Sequence, residues 1–280
     1  MSARSYLYVP GDQPEMLGKA ASRGADAVIV DLEDAVALDR KTAARQAVTE
    51  WLAGGDVPAE VWVRVNADSV ADDIGAVVAP GVRGISVAKA TRELVDEADT
   101  ALARAEAERG LEPGAVQVMP LSETAAAVLD LARIAAGPRV VRLAIGEADL
   151  TAELGMTPSP GEPELLALRV QLVVVSTAAG LDPPVGPVST DFRDLEALRA
   201  STQDLVRLGF RARAAIHPAQ VAVINEVLAP AAEEIARARA LVERFEAGGQ
   251  GATTDADGRM IDRAVIRAAE DVLARAERPG

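Results

Sequence analysis

AVIVDLED, residues 27–34, sets four apolar residues directly against a cluster of acids. Ala27 to Val30 read as a strand with no wet face, and Asp31, Glu33 and Asp34 crowd its far end. A strand that is apolar on both sides belongs to a parallel sheet covered by helices. Working outward, the same unit recurs. SYLYV (5–9), VWVRV (61–65), GISVAK (84–89), VQVMPL (116–121) and VVRLAI (140–145) are Val/Ile-rich runs, each followed by an alanine-rich helical pattern. The clearest helix, TRELVDEADTALARAEAERG, stops at Gly110, a residue type that favours helix ends. PVGPVST (184–190) is the candidate seventh strand and RAAI (213–216) the eighth.

Eight strand–helix units in about 220 residues predict an α/β chain folded as a (β/α)8 barrel. A doubly wound open sheet is the alternative on the same pattern. After Ala229 the alternation ends. The expected organisation is therefore a barrel domain over residues 1–229 and a C-terminal helical extension over 230–280. That extension either packs on the barrel's own rim or reaches a neighbouring subunit.

Composition removes several kinds of chemistry. The chain has 280 residues, no cysteine and one histidine, His217, so thiolate zinc sites, disulfides and poly-histidine metal sites are excluded. Its only lysines are Lys19, Lys41 and Lys89, which limits any Schiff-base chemistry to these three. The net charge of −14 opposes nucleic-acid binding. Aromatics make up only 2% of a 49% hydrophobic chain, so Ala, Val and Leu must fill the core. MSARSYLYVPGDQ at the start lacks a basic-then-apolar leader pattern, and no apolar run has the length of a membrane span. The expectation is a soluble cytoplasmic protein with no membrane partner.

In a barrel of this type, functional groups gather where the strands end. Tyr8 lies within strand 1, and Asp31, Glu33 and Asp34 follow strand 2. Strand 3 carries Arg64, strand 4 ends at Lys89 and strand 5 at Glu123. Strand 6 runs into GEADL with Asp149, and strand 8 ends at His217. Taken singly, Glu123 or Asp149 reads as a helix N-cap, His217 as a loop histidine and Tyr8 as a core-edge aromatic. Arg64 inside VWVRV is harder to explain away, because a buried guanidinium needs an anion. As a set, Glu123 and Asp149 suit Mg²⁺, which takes hard oxygen ligands and keeps positions for water and substrate. An arginine nearby suits a substrate carboxylate, and Glu33 can orient water or take a proton. Such a site handles 2-oxo or 2-hydroxy acids.

At these residues the chain resembles a known family. RSYLYVPGD, AVIVDLEDAV, VRVN, SET, GEADL and IHPAQV, with GRMID at 258–262, resemble the citrate lyase β-subunit-like group of the HpcH/HpaI aldolase superfamily, which includes malyl-CoA and citramalyl-CoA lyases. The resemblance implies a TIM barrel in which Glu123 and Asp149 hold Mg²⁺ and Arg64 binds the oxo-acid carboxylate. It places Glu33 behind the metal's waters and Tyr8 and Lys19 at a CoA thioester, with His217 in a substrate-side loop. It brings Asp262 into a neighbouring subunit's active site, which implies a homo-oligomer, a trimer or hexamer. The implied substrates are a CoA thioester with an oxo acid such as oxaloacetate, glyoxylate or pyruvate. Gln13 stands where relatives commonly have arginine, and Ala88 where they often have proline; TTDAD (253–257) lacks their usual aromatic residue. The implied activity is a carbon–carbon lyase. A class II aldolase working without CoA, a citrate lyase β subunit active only in a complex, and a non-catalytic binding protein are the alternatives.

Overall fold

β1 (Ser5–Pro10) pairs in parallel with β2 (Ala27–Asp31) on one side and with β8 (Ala212–Ala215) on the other, so the sheet closes on itself. Between them run β3 (Glu60–Val65), β4 (Val82–Val87), β5 (Gln117–Ser122), β6 (Arg142–Ile145) and β7 (Asp182–Gly186) in sequence order. Closure excludes the open doubly wound sheet and establishes the (β/α)8 barrel. The computed structural model describes residues 3–55, 57, 59–247, 253–254 and 260–277. Residues 2–225 form one compact unit and residues 226–280 a second. Among the described residues, no helix is long and apolar enough to cross a membrane.

The scarce aromatic residues are concentrated where the barrel needs bulk. Tyr6 meets Trp62 edge-on with ring centroids 6.2 Å apart. Both belong to an interior cluster with Ile29, Met119, Leu121 and Val185. Arg142 is fully buried there; its Nη1 donates to the Tyr6 hydroxyl (2.9 Å) and to the Ala3 carbonyl (3.0 Å). Because side chains alternate along a strand, stepping two residues from this plug climbs into the barrel mouth. Ile29 leads to Asp31, Trp62 to Arg64, and Leu121 to Glu123.

β7 departs from the expected 184–190. It starts at Asp182 and ends at Gly186, and Pro187 to Thr190 belong to the following loop. Pro183 and Pro184 have no N–H to donate, and the β6–β7 ladder shifts register at this place, pairing Arg142 with Asp182 and Ala144 with Val185. The alanine-rich pattern after β5 forms two short helices, Ala125–Leu129 and Leu131–Ala135, divided at Asp130.

In the second unit, helices Ala232–Ala247 and Arg263–Ala276 enclose a small core of Phe245, Ile261 and Ile266. Thr253–Thr254 and Met260–Ile261 form a two-stranded antiparallel pair. Residues 255–259, which include the end of TTDAD and the first two residues of GRMID, lie outside the described set.

Gly84 marks a close approach of β4 to the plug. A Cβ there would sit 2.3 Å from Trp62 Cζ3 and 2.8 Å from the Gln117 carbonyl oxygen. Gly84→Ala is therefore expected to destabilise the barrel by about 1–3 kcal/mol, as overpacking of a filled core does. Chemical denaturation measures this, and an unchanged midpoint would show that Trp62 can move.

Candidate functional site

Asp31 and Arg64 face each other in the β2–β3 register. Arg64 Nε donates to Asp31 Oδ1 (2.7 Å) and Nη2 to Oδ2 (2.6 Å), a two-point pair that is nearly buried. Asp31 also accepts the backbone N–H groups of Glu33 (2.9 Å) and Ala35 (3.1 Å), so the strand-end turn is folded around its carboxylate. The remaining arm of Arg64, Nη1, lies 3.2 Å from Glu33 Oε2 and 3.3 Å from Asp34 Oδ2, and the Asp34 side chain is mostly exposed. The guanidinium sits 5.0 Å from the ring centre of Tyr8. Burial is opposed by the Asp31 hydrogen bonds and surrounding negative charge, and the Arg64 pKa ends above its ordinary value. Burial likewise pushes the Tyr8 hydroxyl up. Arg64 is thus a permanent cation and Tyr8 a neutral phenol.

Lys89 sits two residues past β4 with φ at 48°, a left-handed backbone rare for a residue with a side chain. That conformation directs its N–H onto Glu123 Oε1 (2.6 Å), while its ammonium pairs with Glu33 Oε1. Both Glu33 oxygens are therefore engaged by cations, Lys89 and Arg64. Glu123 is buried at the end of β5. Its carboxyl is pushed up to about 7 by burial, which the Lys89 N–H and Arg64 offset in part and to which repulsion from Glu33 and Asp149 adds. Gly146 leaves it room: a Cβ there would lie 2.6 Å from Glu123 Oε2.

Asp149 lies in the helix Glu147–Glu153 that follows β6. It lines the same cavity as Glu123, Asp31, Arg64 and Tyr8, a space of about 590 Å³ at the strand ends. Asp149 accepts no protein hydrogen bond among the described residues, so its oxygens remain available. No cluster of three or more metal-binding side chains occurs among the described residues. Two hard carboxylates lining one cavity still fit Mg²⁺, which retains several waters and shares oxygen ligands with its substrate.

Two expected residues, Lys19 and His217, are absent from the cavity lining. Lys19 is exposed on helix Pro14–Ala20 and does not line the cavity. His217 is exposed, stacked on Phe192 with ring centroids 4.8 Å apart; its Nδ1 accepts the Ala219 N–H (3.1 Å), and its neighbour Ile216 is the residue that faces the cavity. Asp262 belongs to the second unit, where Oδ1 caps helix Arg263–Ala276 by accepting N–H from Ala264 (2.9 Å) and Val265 (3.0 Å).

Other residues of the site gave no local signal in the sequence. Lys41 Nζ donates to the carbonyls of Leu32 and Glu33 and to Asn66 Oδ1, each at 2.7 Å, and so holds the strand-2 turn from behind. Arg169 donates to both Glu147 oxygens and to Glu162 Oε2, all at 2.6 Å. This ties the loop after β6 to the cavity wall.

A closed barrel with its acids and one clamped arginine gathered at the strand ends is the frame of a barrel enzyme. The chain belongs to the HpcH/HpaI aldolase/citrate lyase family, whose pattern matches residues 4–218, and is an enzyme of that aldolase and lyase group. It is 33% identical to citrate lyase subunit beta of Leuconostoc mesenteroides subsp. cremoris, covering 96% of this chain and 92% of the relative. It is 35% identical to (3S)-malyl-CoA thioesterase of Cereibacter sphaeroides, covering 98% and 94%. Its fold is similar to protein CitE of Mycobacterium tuberculosis, solved in complex with magnesium, acetoacetate and coenzyme A, at 28% identity and a TM-score of 0.80 over 99% of each chain.

A carboxyl whose folded-state pKa stands above its ordinary value binds protons more readily folded than unfolded. Its contribution favours the fold at acid pH and is lost as pH rises from about 4.5 through about 7. In metal-free buffer at pH 8, Glu123→Gln is expected to melt no lower than the parent protein. A clear drop in Tm would mean that the charged carboxylate is stabilising where it stands.

Proposed function

We propose that the chain is an Mg²⁺-dependent carbon–carbon lyase acting on a carboxylated 3-hydroxyacyl-CoA of the citryl, malyl or citramalyl type, releasing an oxo acid and an acyl-CoA. The observation that carries this reading is the placement of Glu123 and Asp149 on one cavity with Arg64, whose orientation Asp31 fixes. The magnesium, acetoacetate and coenzyme A held by the CitE relative support it. Glu123 and Asp149 would hold the metal, and Mg²⁺ bound there supplies a Lewis acid for the substrate's hydroxyl and adjacent carboxylate oxygens.

Arg64 grips that carboxylate through Nη1, displacing the exposed Asp34. Its two bonds to Asp31 keep it from swinging. Glu33, 3.2 Å from the same nitrogen, is the proposed acceptor of the hydroxyl proton. As that proton leaves, the oxygen's electron pair forms the new carbonyl of the oxo acid. The C–C bond breaks, and its electrons pass into the enolate of the acyl-CoA, delocalised by the thioester. Asp262 of a neighbouring subunit then protonates the enolate carbon, which makes a homo-oligomer, a trimer or hexamer, part of the proposal. Tyr8, neutral at working pH, contributes an apolar wall with a hydroxyl donor. In this reading the barrel domain carries the site and the C-terminal extension serves the partner.

One observation favours a second reading, an aldolase on 2-oxo-4-hydroxy acids without CoA: Lys19, the expected thioester contact, stands exposed and away from the cavity lining. Titration calorimetry with CoA thioesters separates the two, since the lyase must bind them.

The direct test is turnover of citryl-, malyl-, methylmalyl- and citramalyl-CoA with and without Mg²⁺. At least one is expected to be cleaved only with the metal, and Glu123→Gln to abolish both turnover and the Mg²⁺-induced rise in Tm. Arg64→Lys, which cannot make the two-point pair with Asp31, is expected to lower kcat/KM roughly 100-fold. Full activity in either variant would defeat the site assignment.

A further inference from the structure

The charge pattern of the cavity restricts the substrate further, and this inference rests on the lyase reading above. Among the described residues the lining carries six carboxylates, Asp31, Asp34, Glu123, Glu147, Asp149 and Glu162, and a single cation, Arg64. The cations nearby are already committed. Lys89 pairs with Glu33. Arg169 is buried behind Glu147 and Glu162 and bonded to both. Lys41 spends its ammonium on two carbonyls and Asn66. Arg213 is buried and donates to the Pro187 and Leu198 carbonyls and to Ser201 and Thr202.

A divalent cation and Arg64 together provide for one substrate carboxylate beside the reacting oxygen. Away from Arg64 the cavity offers the other end of an oxo acid a different surface. Ile29, Met119, Leu121, Ala144, Val185 and Ala214, the upper layer of the barrel's apolar plug, form the cavity floor. A second carboxylate placed there would lose its hydration and would lie in the field of the surrounding acids, while Arg142, two residues before Ala144 on β6, is fully buried and bonded to the Tyr6 hydroxyl and the Ala3 carbonyl. A methyl group or a hydrogen costs nothing of this kind.

We propose that the oxo acid this enzyme releases is a monocarboxylate of the glyoxylate or pyruvate class, and that the site discriminates by charge against dicarboxylic oxo acids such as oxaloacetate. The acyl-CoA substrates that follow are those with one carboxylate on the hydroxyl-bearing carbon and no second one in the same fragment.

The full-length protein with saturating Mg²⁺ is titrated calorimetrically with pyruvate, glyoxylate, oxaloacetate and 4-methyl-2-oxopentanoate. The last carries an uncharged branched end at least as large as oxaloacetate's second carboxylate, and so separates size from charge. The expected result is binding of pyruvate or glyoxylate at least tenfold tighter than oxaloacetate, with 4-methyl-2-oxopentanoate also tighter than oxaloacetate. Oxaloacetate binding as tightly as pyruvate overturns this inference while leaving the lyase reading intact. Rejection of 4-methyl-2-oxopentanoate as strongly as oxaloacetate also overturns it, because size would then be the discriminator. Binding of no oxo acid overturns the inference together with the lyase reading.

Discussion

The two-point bond between Asp31 and Arg64 joins adjacent strands at the level where the apolar plug gives way to the mouth. A guanidinium could not occupy that level without an anion, and removing one partner of such a buried pair costs on the order of 3–5 kcal/mol. Most of the surroundings follow from this pair. Asp31 draws the Glu33 and Ala35 amides onto itself, which curls the strand-2 turn and brings Glu33 beside Arg64. Glu33 in turn receives Lys89, and Lys89 secures Glu123. A chain of alternating charge thus runs from strand 2 to strand 5.

That chain settles how a strongly acidic protein concentrates carboxylates without bursting the site. Each acid whose position must be fixed is held by a cation or a backbone N–H, as Asp31, Glu33, Glu123 and Glu147 are. Asp149 and Asp34 are the less constrained, and both face solvent. The restraint is geometric as much as electrostatic. Gly146 gives up a side chain so that Glu123 can lie against the strand-6 turn.

The barrel was legible in the sequence because its strands are buried on both faces and its helices carry ordinary stop signals, such as Gly110, whose φ of 65° ends helix Arg92–Arg109. β7 was misplaced because its two prolines break the pattern that marks the other strands. Arg64 stood out for being a charge in an apolar run, and Asp31, Glu33, Glu123 and Asp149 for following strands. What stayed hidden depends on distant partners. Lys41 is 25 residues from Asn66, and Arg169 is 22 from Glu147; nothing beside either residue announces such a contact. The absence of Lys19 and His217 from the cavity lining is likewise a matter of where a helix or loop turns, which local composition does not encode. The cap that Asp262 places on its own helix reads in the sequence simply as an aspartate before a helical run.

Lys89 contributes its amide to one acid and its ammonium to another, so a single backbone hinge sets the distance between Glu33 and Glu123. The two contacts depend on different parts of the residue. Glycine would accept the left-handed backbone and keep the amide while abandoning Glu33. Arginine would keep a charge but carry it farther out. Lengthening the turn after β4 by one residue would misdirect both contacts together. This short turn therefore acts as a ruler for the whole mouth, and it is a part of the barrel rim where insertions should be least tolerated among related chains.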